Sequence, residues 1–193
     1  MSPSNLTKHI YLDALDHFGE SDESFSFEDP PPPGSNWPKR IDVFAWKPQI
    51  DLNMYSFSTI GMSDVPQGDK KLRTELHFAI RDNSLDINLK RVAVFMANLA
   101  SYPFMNNLYL DWGHTILSPG IIPYFEKCSS VMFFPAFVKS VWDTTRFDDM
   151  EIHYLNIVPL TMNEISHKNK NGPNSLYDYF DENNIDIFQD RQA

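Results

Sequence analysis

Apolar residues recur every three or four positions over Asn5–Phe18, and again over Asn88–Ala100. This period places them on one face of an α-helix, so both segments are predicted to form amphipathic helices. Gly19 is a stop signal for the first helix, because glycine accepts the left-handed conformation at a helix end. Asn88 suits the N-cap of the second helix, and Pro103 is expected to end it.

Alternation of apolar and polar residues predicts strands over Ile41–Trp46, Met54–Ile60 and Arg73–Arg81. Further strands are expected at Val131–Phe134 and Ile152–Val158. The third strand has the clearest pattern, with Thr74, Leu76, Phe78 and Ile80 on one side. Its other side is expected to be wet or functional, and carries Arg73, Glu75, His77 and Arg81.

The last part of the chain carries helix punctuation. Thr161 and Glu164 have the spacing of a capping box, in which each side chain accepts a hydrogen bond from a free backbone amide. Gly172-Pro173 is expected to break that helix, and Ser175–Asp178 to begin another. The resulting order of elements, β-β-β-α-β-β-α-α, favours an α+β fold with a mainly antiparallel or mixed central sheet flanked by helices.

An acidic stretch, Glu20–Asp29, leads into four consecutive prolines, Pro30–Pro33. Prolines in a row are excluded from helices and central strands, so a long surface loop with a polyproline conformation is predicted. Residues 1–193 are predicted to form one domain. In it, residues 1–39 supply the first helix and the acidic, proline-rich loop, and residues 40–193 supply the core.

The 193 residues carry a formal net charge of −10 and include a single cysteine, Cys128. A surface of this sign repels nucleic acid and suits a basic protein partner, although acidity can also serve solubility alone. One cysteine forms neither an intrachain disulfide nor a cysteine-based zinc site. No signal peptide or membrane-spanning run is present, so a cytoplasmic protein is predicted.

No phosphate-binding glycine motif or nucleophile elbow occurs, and the six histidines lack metal-ligand spacing. Neither a cofactor nor a metal is therefore expected. His114 has two interpretations: a general acid or base beside Asp111 or Glu75, or a strand cap next to a core Trp112. Glu75 is either an anchor in a groove or pairs across the sheet with Arg73, Arg81 or a side chain of a neighbouring strand.

Several segments in a fixed order resemble the suppressor-of-fused domain family. They are Ser58–Ser63 at the end of a strand, Arg73–Leu76 at the start of the next, Leu99–Pro103, Trp112–Thr115 and Ile157–Glu164. Lys168, Gly172, Leu176 and Asp190-Arg191 continue the match, which spans roughly residues 40 to 191. The ordered set is specific, whereas a single triplet such as Trp112-Gly113-His114 is weak.

The resemblance implies a sheet flanked by helices and a protein-binding, non-enzymatic role. The chain has no room for the second domain of the larger animal relatives, and is similar to short bacterial members that are assigned as immunity proteins against a partner toxin. The residues that the resemblance marks as family-motif or binding positions are Gly61, Met62, Ser63, Glu75, Trp112, Gly113, His114 and Glu164.

Three functions follow as hypotheses. The first is an immunity protein that occludes a basic toxin domain through acidic residues. The second is a small hydrolase or transferase that uses His114 with Asp111 or Glu75. The third is a scaffold with a peptide groove at an exposed strand edge, for which Arg73–Arg81 is the candidate if it forms an edge. Besides Glu20–Asp29, the acids expected on a partner surface are Asp178, Asp181, Glu182, Asp186 and Asp190.

Overall fold

Four α-helices and eight β-strands occur in the part of the chain that the computed structural model describes, residues 3–28, 36–48, 53–81, 86–135 and 142–191. The helices are α1 (Asn5–Phe18), α2 (Leu89–Asn106), α3 (Met162–Asn171) and α4 (Pro173–Glu182). The strands are β1 (Glu23–Phe27), β2 (Ile41–Trp46), β3 (Met54–Ile60), β4 (Arg73–Arg81), β5 (Thr115–Leu117), β6 (Ser130–Pro135), β7 (Thr144–Phe147) and β8 (Met150–Leu160). A short 3₁₀ turn, Met62–Asp64, follows β3.

Side-chain caps explain where three of the helices begin. The Ser4 hydroxyl accepts a hydrogen bond from the Thr7 amide at 2.9 Å, and the Asn88 side chain accepts one from the Arg91 amide at 3.0 Å. The capping box of Thr161 and Glu164 is present at the start of α3. These bonds satisfy backbone amides that have no partner within the helix.

The strands form one mixed sheet in the order β1-β2-β3-β4-β8-β6-β5, and β7 pairs with the beginning of β8. Only the central pair, β4 and β8, is parallel among the described strands; the other pairs are antiparallel. The predicted α+β class with a mixed central sheet is confirmed. β4 is the fourth strand from either end of this order, so it lies at the centre.

The two sides of the sheet bury different helices. Leu155 and Ile157 on β8 belong to the apolar cluster that contains the buried face of α2. Residues on the opposite side of β8 join two other clusters: Ile152 packs with α1, and Leu160 packs with α3 and α4. Because alternate residues of a strand point to opposite sides, β8 is buried on both.

The acidic stretch and the end of α2 differ from the sequence-based expectation. The acidic stretch is not only a loop, because Glu23–Phe27 forms the edge strand β1 and pairs with β2. Asp29 and Pro30–Pro33 lie outside the described residues. Helix α2 continues past Pro103 to Asn106, and its last turn is closed by a hydrogen bond from the Asn107 amide to the Pro103 carbonyl. Pro103 has no backbone N–H, so the Leu99 carbonyl lacks its usual helical donor while the rest of the last turn still forms.

The polar side of β4 is also different from the expectation of a wet surface. Glu75 is 0% exposed and His77 is 4% exposed. β4 has β3 on one edge and β8 on the other, so it offers no free edge to a peptide. The condition for a peptide groove at this strand, that it forms an edge, is therefore not met. Alternation identified the strand but not the layer that covers its polar side.

Candidate functional site

Glu75 holds the turn that follows β3. Its Oε1 accepts hydrogen bonds from the amides of Gly61 at 2.9 Å and Ser63 at 3.0 Å, and from the Ser63 hydroxyl at 2.7 Å. Its Oε2 accepts one from the Thr59 hydroxyl at 2.7 Å. Met62, between these residues, is completely buried in the core. Four residues of the Ser58–Ser63 and Arg73–Leu76 segments thus meet at one buried carboxyl group.

Of the cross-sheet partners expected for Glu75, the neighbouring-strand side chain is present as Thr59 of β3, whereas no ion pair with Arg73 or Arg81 forms. Arg73 donates instead to the Ser63 carbonyl at 2.5 Å, and Arg81 forms an ion pair with Asp186. Burial raises the pKa of Glu75 to about 7, against the opposing effect of the hydrogen bonds from Ser63, Thr59 and Gly61. With both oxygens enclosed, this carboxyl group anchors a turn and is not positioned for proton transfer at a surface.

Trp112 lies at the surface, so the alternative in which it fills the core is wrong. Its side chain is 36% exposed, and its ring stacks on His153 with a centroid distance of 4.6 Å and an interplanar angle of 7°. The Asp111 carboxylate accepts a hydrogen bond from the Trp112 amide at 2.8 Å and lies 3.4 Å from Nδ1 of His153. These contacts hold an exposed indole in one orientation.

His114 does not meet the carboxylates expected for a hydrolase. Its imidazole contacts the Tyr109 ring, with a centroid distance of 5.1 Å. The Asp111 carboxylate faces His153, and Glu75 is enclosed by the turn after β3. The described contacts therefore assemble neither of the two proposed acid–base pairs.

Two further apolar side chains close to Trp112 in sequence are exposed. Met105 is 66% exposed and Leu108 is 47% exposed, so the segment 105–112 presents three large apolar side chains to solvent. Gly113 then packs against α4: a Cβ atom at this position would lie 3.4 Å from Cβ of Pro173. The 105–112 segment thus leads directly to the beginning of α4.

Glu164 has a second role besides capping α3. Its Oε2 accepts a hydrogen bond from the Thr161 amide at 2.7 Å, and its Oε1 pairs with Nε of Arg191 at 2.8 Å. Arg191 also donates to the Pro159 carbonyl. Both charged side chains are buried, so the end of the described chain is tied to the beginning of α3.

The acidic residues near the C-terminus fall into two groups. Asp186 pairs with Arg81, and Asp190 accepts a hydrogen bond from the Lys127 amide at 3.1 Å. Asp178, Asp181 and Glu182 are exposed on α4, and no ion pair involves them among the described residues. In the N-terminal stretch, Glu23 and Glu28 lie near Lys47 and Arg40.

A family model for Suppressor of fused protein (SUFU) matches residues 38–191. The chain belongs to the suppressor of fused family. A comparison with curated proteins gives no match.

Solved structures of suppressor of fused proteins share the fold. A suppressor of fused homolog from Neisseria gonorrhoeae FA 1090 aligns with a TM-score of 0.71 and 13% identity, over 98% of this chain and 96% of that one. The protein of a Sufu–Fu complex aligns with a TM-score of 0.64 and 14% identity, over 93% and 85%. Drosophila Suppressor of Fused gives 0.54 and 12%, and this chain matches 39% of its length.

The residues that the suppressor of fused resemblance marked lie in three places. Gly61, Met62, Ser63 and Glu75 form the buried turn. Gly113 packs beside Pro173 of α4, whereas Trp112 contacts His153 and His114 contacts Tyr109, and Glu164 caps α3. Whether they bind a partner stays a prediction.

The contact of His153 with Trp112 and that of Arg191 with Glu164 were not predicted, because the two residues of each pair lie far apart in the sequence.

In the residues that the structure describes, no helix is long and apolar enough to cross a membrane, and no cluster of His, Cys, Asp and Glu could hold a metal ion.

Proposed function

We propose that this chain is a non-catalytic protein-binding domain whose partner docks on the 105–112 segment. The observation that carries the proposal is Trp112, which is exposed yet held by its stack on His153. Tryptophan is enriched at the energetic centre of protein interfaces, since it supplies a large rigid surface at a low cost in side-chain entropy. A relative is known in a Sufu–Fu complex, which supports protein binding as the shared activity.

The partner we propose is basic. Asp178, Asp181 and Glu182 are exposed on α4, whose first residue packs beside Gly113. An apolar anchor next to an acidic helix suits a partner that presents an apolar pocket with lysine and arginine around it. Such charges speed the encounter more than they tighten the complex.

Within this function we propose the role of a bacterial immunity protein that acts in the cytoplasm. A basic toxin domain would be covered by an interface of ordinary size, about 1,600 Å² in total. The net charge of −10 is consistent with this partner class. If the toxin is a nuclease, the carboxylates of α4 take the place of nucleic-acid phosphates at its active site.

The test is co-purification of the tagged chain with the product of an adjacent large gene. We expect a stable one-to-one complex with a toxin C-terminal domain. Trp112→Ala should weaken it by about 2 kcal/mol, roughly thirtyfold, as expected for an interface hot spot. Reversal of Asp178, Asp181 and Glu182 to lysine should slow association and flatten its dependence on salt.

Leu12→Ala is the matched control, because Leu12 is an exposed apolar residue on α1, 59% exposed and far in sequence from the 105–112 segment. It should leave the affinity unchanged. A complex that forms with equal affinity and rate in the Trp112 and α4 variants would overturn the proposed surface. Loss of binding only in His114→Ala would move the site to that residue.

A further inference from the structure

A groove of about 830 Å³ lies beside the first half of α1 and shares no residue with the 105–112 segment or α4. Four half-buried aromatic residues line it, each from a different part of the chain. They are Tyr11 of α1, Trp37, Phe44 of β2 and Phe147 of β7. This volume is in the range of preformed ligand sites.

The walls of the groove are fixed by hydrogen bonds. Both oxygens of Asp64 are used, since they accept from the Ser4 hydroxyl at 2.6 Å and the Thr7 hydroxyl at 2.9 Å. Asp64 ends the turn that Glu75 anchors. The beginning of α1 is therefore linked through Asp64 to the turn that the buried Glu75 carboxyl group holds. These contacts shape the groove in the absence of a ligand.

The free charge around the groove is positive, although the chain as a whole is acidic. Three carboxylates line it, and each is already paired: Glu28 and Asp42 with Arg40, and Asp64 with two hydroxyls. Lys8 and Lys39 also line it, are exposed, and form no ion pair within the described residues. Charge complementarity therefore favours a ligand with carboxylates.

β2, which supplies Phe44, is paired with β1 on one edge and β3 on the other. A ligand on Phe44 therefore meets side chains and cannot add a strand to β2. Aromatic rings with polar tips, such as the Tyr11 hydroxyl and the Trp37 indole N–H, suit a polyproline II segment, whose rings pack on them while its carbonyls accept hydrogen bonds.

We propose that this groove binds a proline-rich peptide in the polyproline II conformation, with acidic residues flanking the prolines, presented by a partner protein. The prolines lie on Tyr11, Trp37 and Phe44, and the flanking carboxylates meet Lys8 and Lys39. This site goes beyond the proposed function, because it is a second surface for a ligand of different chemistry.

The test is fluorescence anisotropy of the full chain with a fluorescein-labelled peptide, Glu-Glu-Pro-Pro-Leu-Pro-Pro-Glu-Glu. We expect saturable binding, which Trp37→Ala abolishes. The double change Lys8→Glu and Lys39→Glu should weaken it about tenfold, as two reversed surface charges would. Lys90→Glu is the matched control: Lys90 is exposed on α2 and does not line the groove, so binding should be unchanged.

Two further peptides make the proposal falsifiable even if Trp37→Ala fails to fold. A version with lysine in place of glutamate should bind at least tenfold more weakly, and a version with alanine in place of proline should not bind. The proposal would be overturned by no binding of the acidic proline peptide, by equal or tighter binding of the lysine version, or by equal or tighter binding of the alanine version. Trp112→Ala should not affect the peptide, which separates this site from the 105–112 segment.

Discussion

Gly61 leaves β3 with a φ of +106°, a conformation that L-residues rarely adopt. A Cβ atom on this residue would lie 2.8 Å from the backbone oxygen of Arg40, closer than real contacts allow. The glycine is therefore required twice, by its backbone angle and by the neighbouring chain. The Gly61 amide also donates a hydrogen bond to Glu75, so a substitution of Gly61 should weaken the buried turn as well.

Gly61→Ala should lower the free energy of unfolding by about 3 kcal/mol, since strain and a backbone clash add to each other. Gly120→Ala is the matched control, because Gly120 has a φ of +93° but a Cβ atom there would meet nothing within 4 Å. That change should cost only about 1 kcal/mol. Urea unfolding of both variants measures the difference, and equal losses would refute the role of the Arg40 contact.

Helix α3 illustrates how an element depends on a residue far away in the chain. Its first turn is capped by Thr161 and Glu164, but the same Glu164 carboxylate is neutralised by Arg191, the last residue that the structure describes. Their side chains are 5% and 9% exposed, so each charge needs the other. The end of the chain thus stabilises the start of a helix.

Arg191→Met should destabilise the protein by about 3 kcal/mol, because it leaves the Glu164 carboxylate buried without its partner. Adding Glu164→Gln should restore much of that loss, since the amide can still accept from the Thr161 amide without a buried charge. A double-mutant cycle by denaturant unfolding tests this. Additive losses would show that the pair does not act as a unit.

Helices and strands with a strong apolar period were predictable from sequence, whereas very short strands were not. The bounds of α1, β2, β3 and β4 match their predicted ranges, because apolar residues mark the buried side. β5 has three residues and β7 four, too few for a period to stand out. The motif residues of the candidate site could be named from sequence. The contacts Glu75–Ser63 and Trp112–His153 could not, because they form only when distant segments of the chain pack together.

Two buried ionisable residues on β4 couple the stability of the whole molecule to pH in opposite directions. Burial raises the pKa of Glu75 from 4.5 to about 7, and burial, with the nearby His17, lowers the pKa of His77 from 6.5 to about 4. The contribution of Glu75 to the free energy of unfolding is fully present below pH 4.5 and is lost as the pH rises through 7. That of His77 is present above pH 6.5 and is lost as the pH falls through 4. Between pH 4.5 and 6.5, Glu75 therefore makes the free energy of unfolding fall with rising pH, and His77 makes it rise.

Removing either residue should reveal the pH dependence of the unfolding free energy that the two residues cancel in the wild type. Relative to the wild type, the unfolding free energy of Glu75→Gln should rise by about 3 kcal/mol between pH 4.5 and 7, because the shifted carboxyl is gone. That of His77→Gln should fall, again relative to the wild type, by about 3 kcal/mol between pH 4 and 6.5. Urea unfolding at several pH values measures both. Differences that do not vary with pH would contradict the compensation.

The parallel pair at the centre of the sheet has a consequence for synthesis of the chain. β4 ends at Arg81, whereas its neighbour β8 spans Met150–Leu160. At about 5 to 20 residues per second, translation leaves one edge of β4 unpaired for roughly 4 to 16 seconds. An open strand edge recruits other chains. Nascent or prematurely terminated chains that stop before β8 will therefore aggregate unless a chaperone covers that edge.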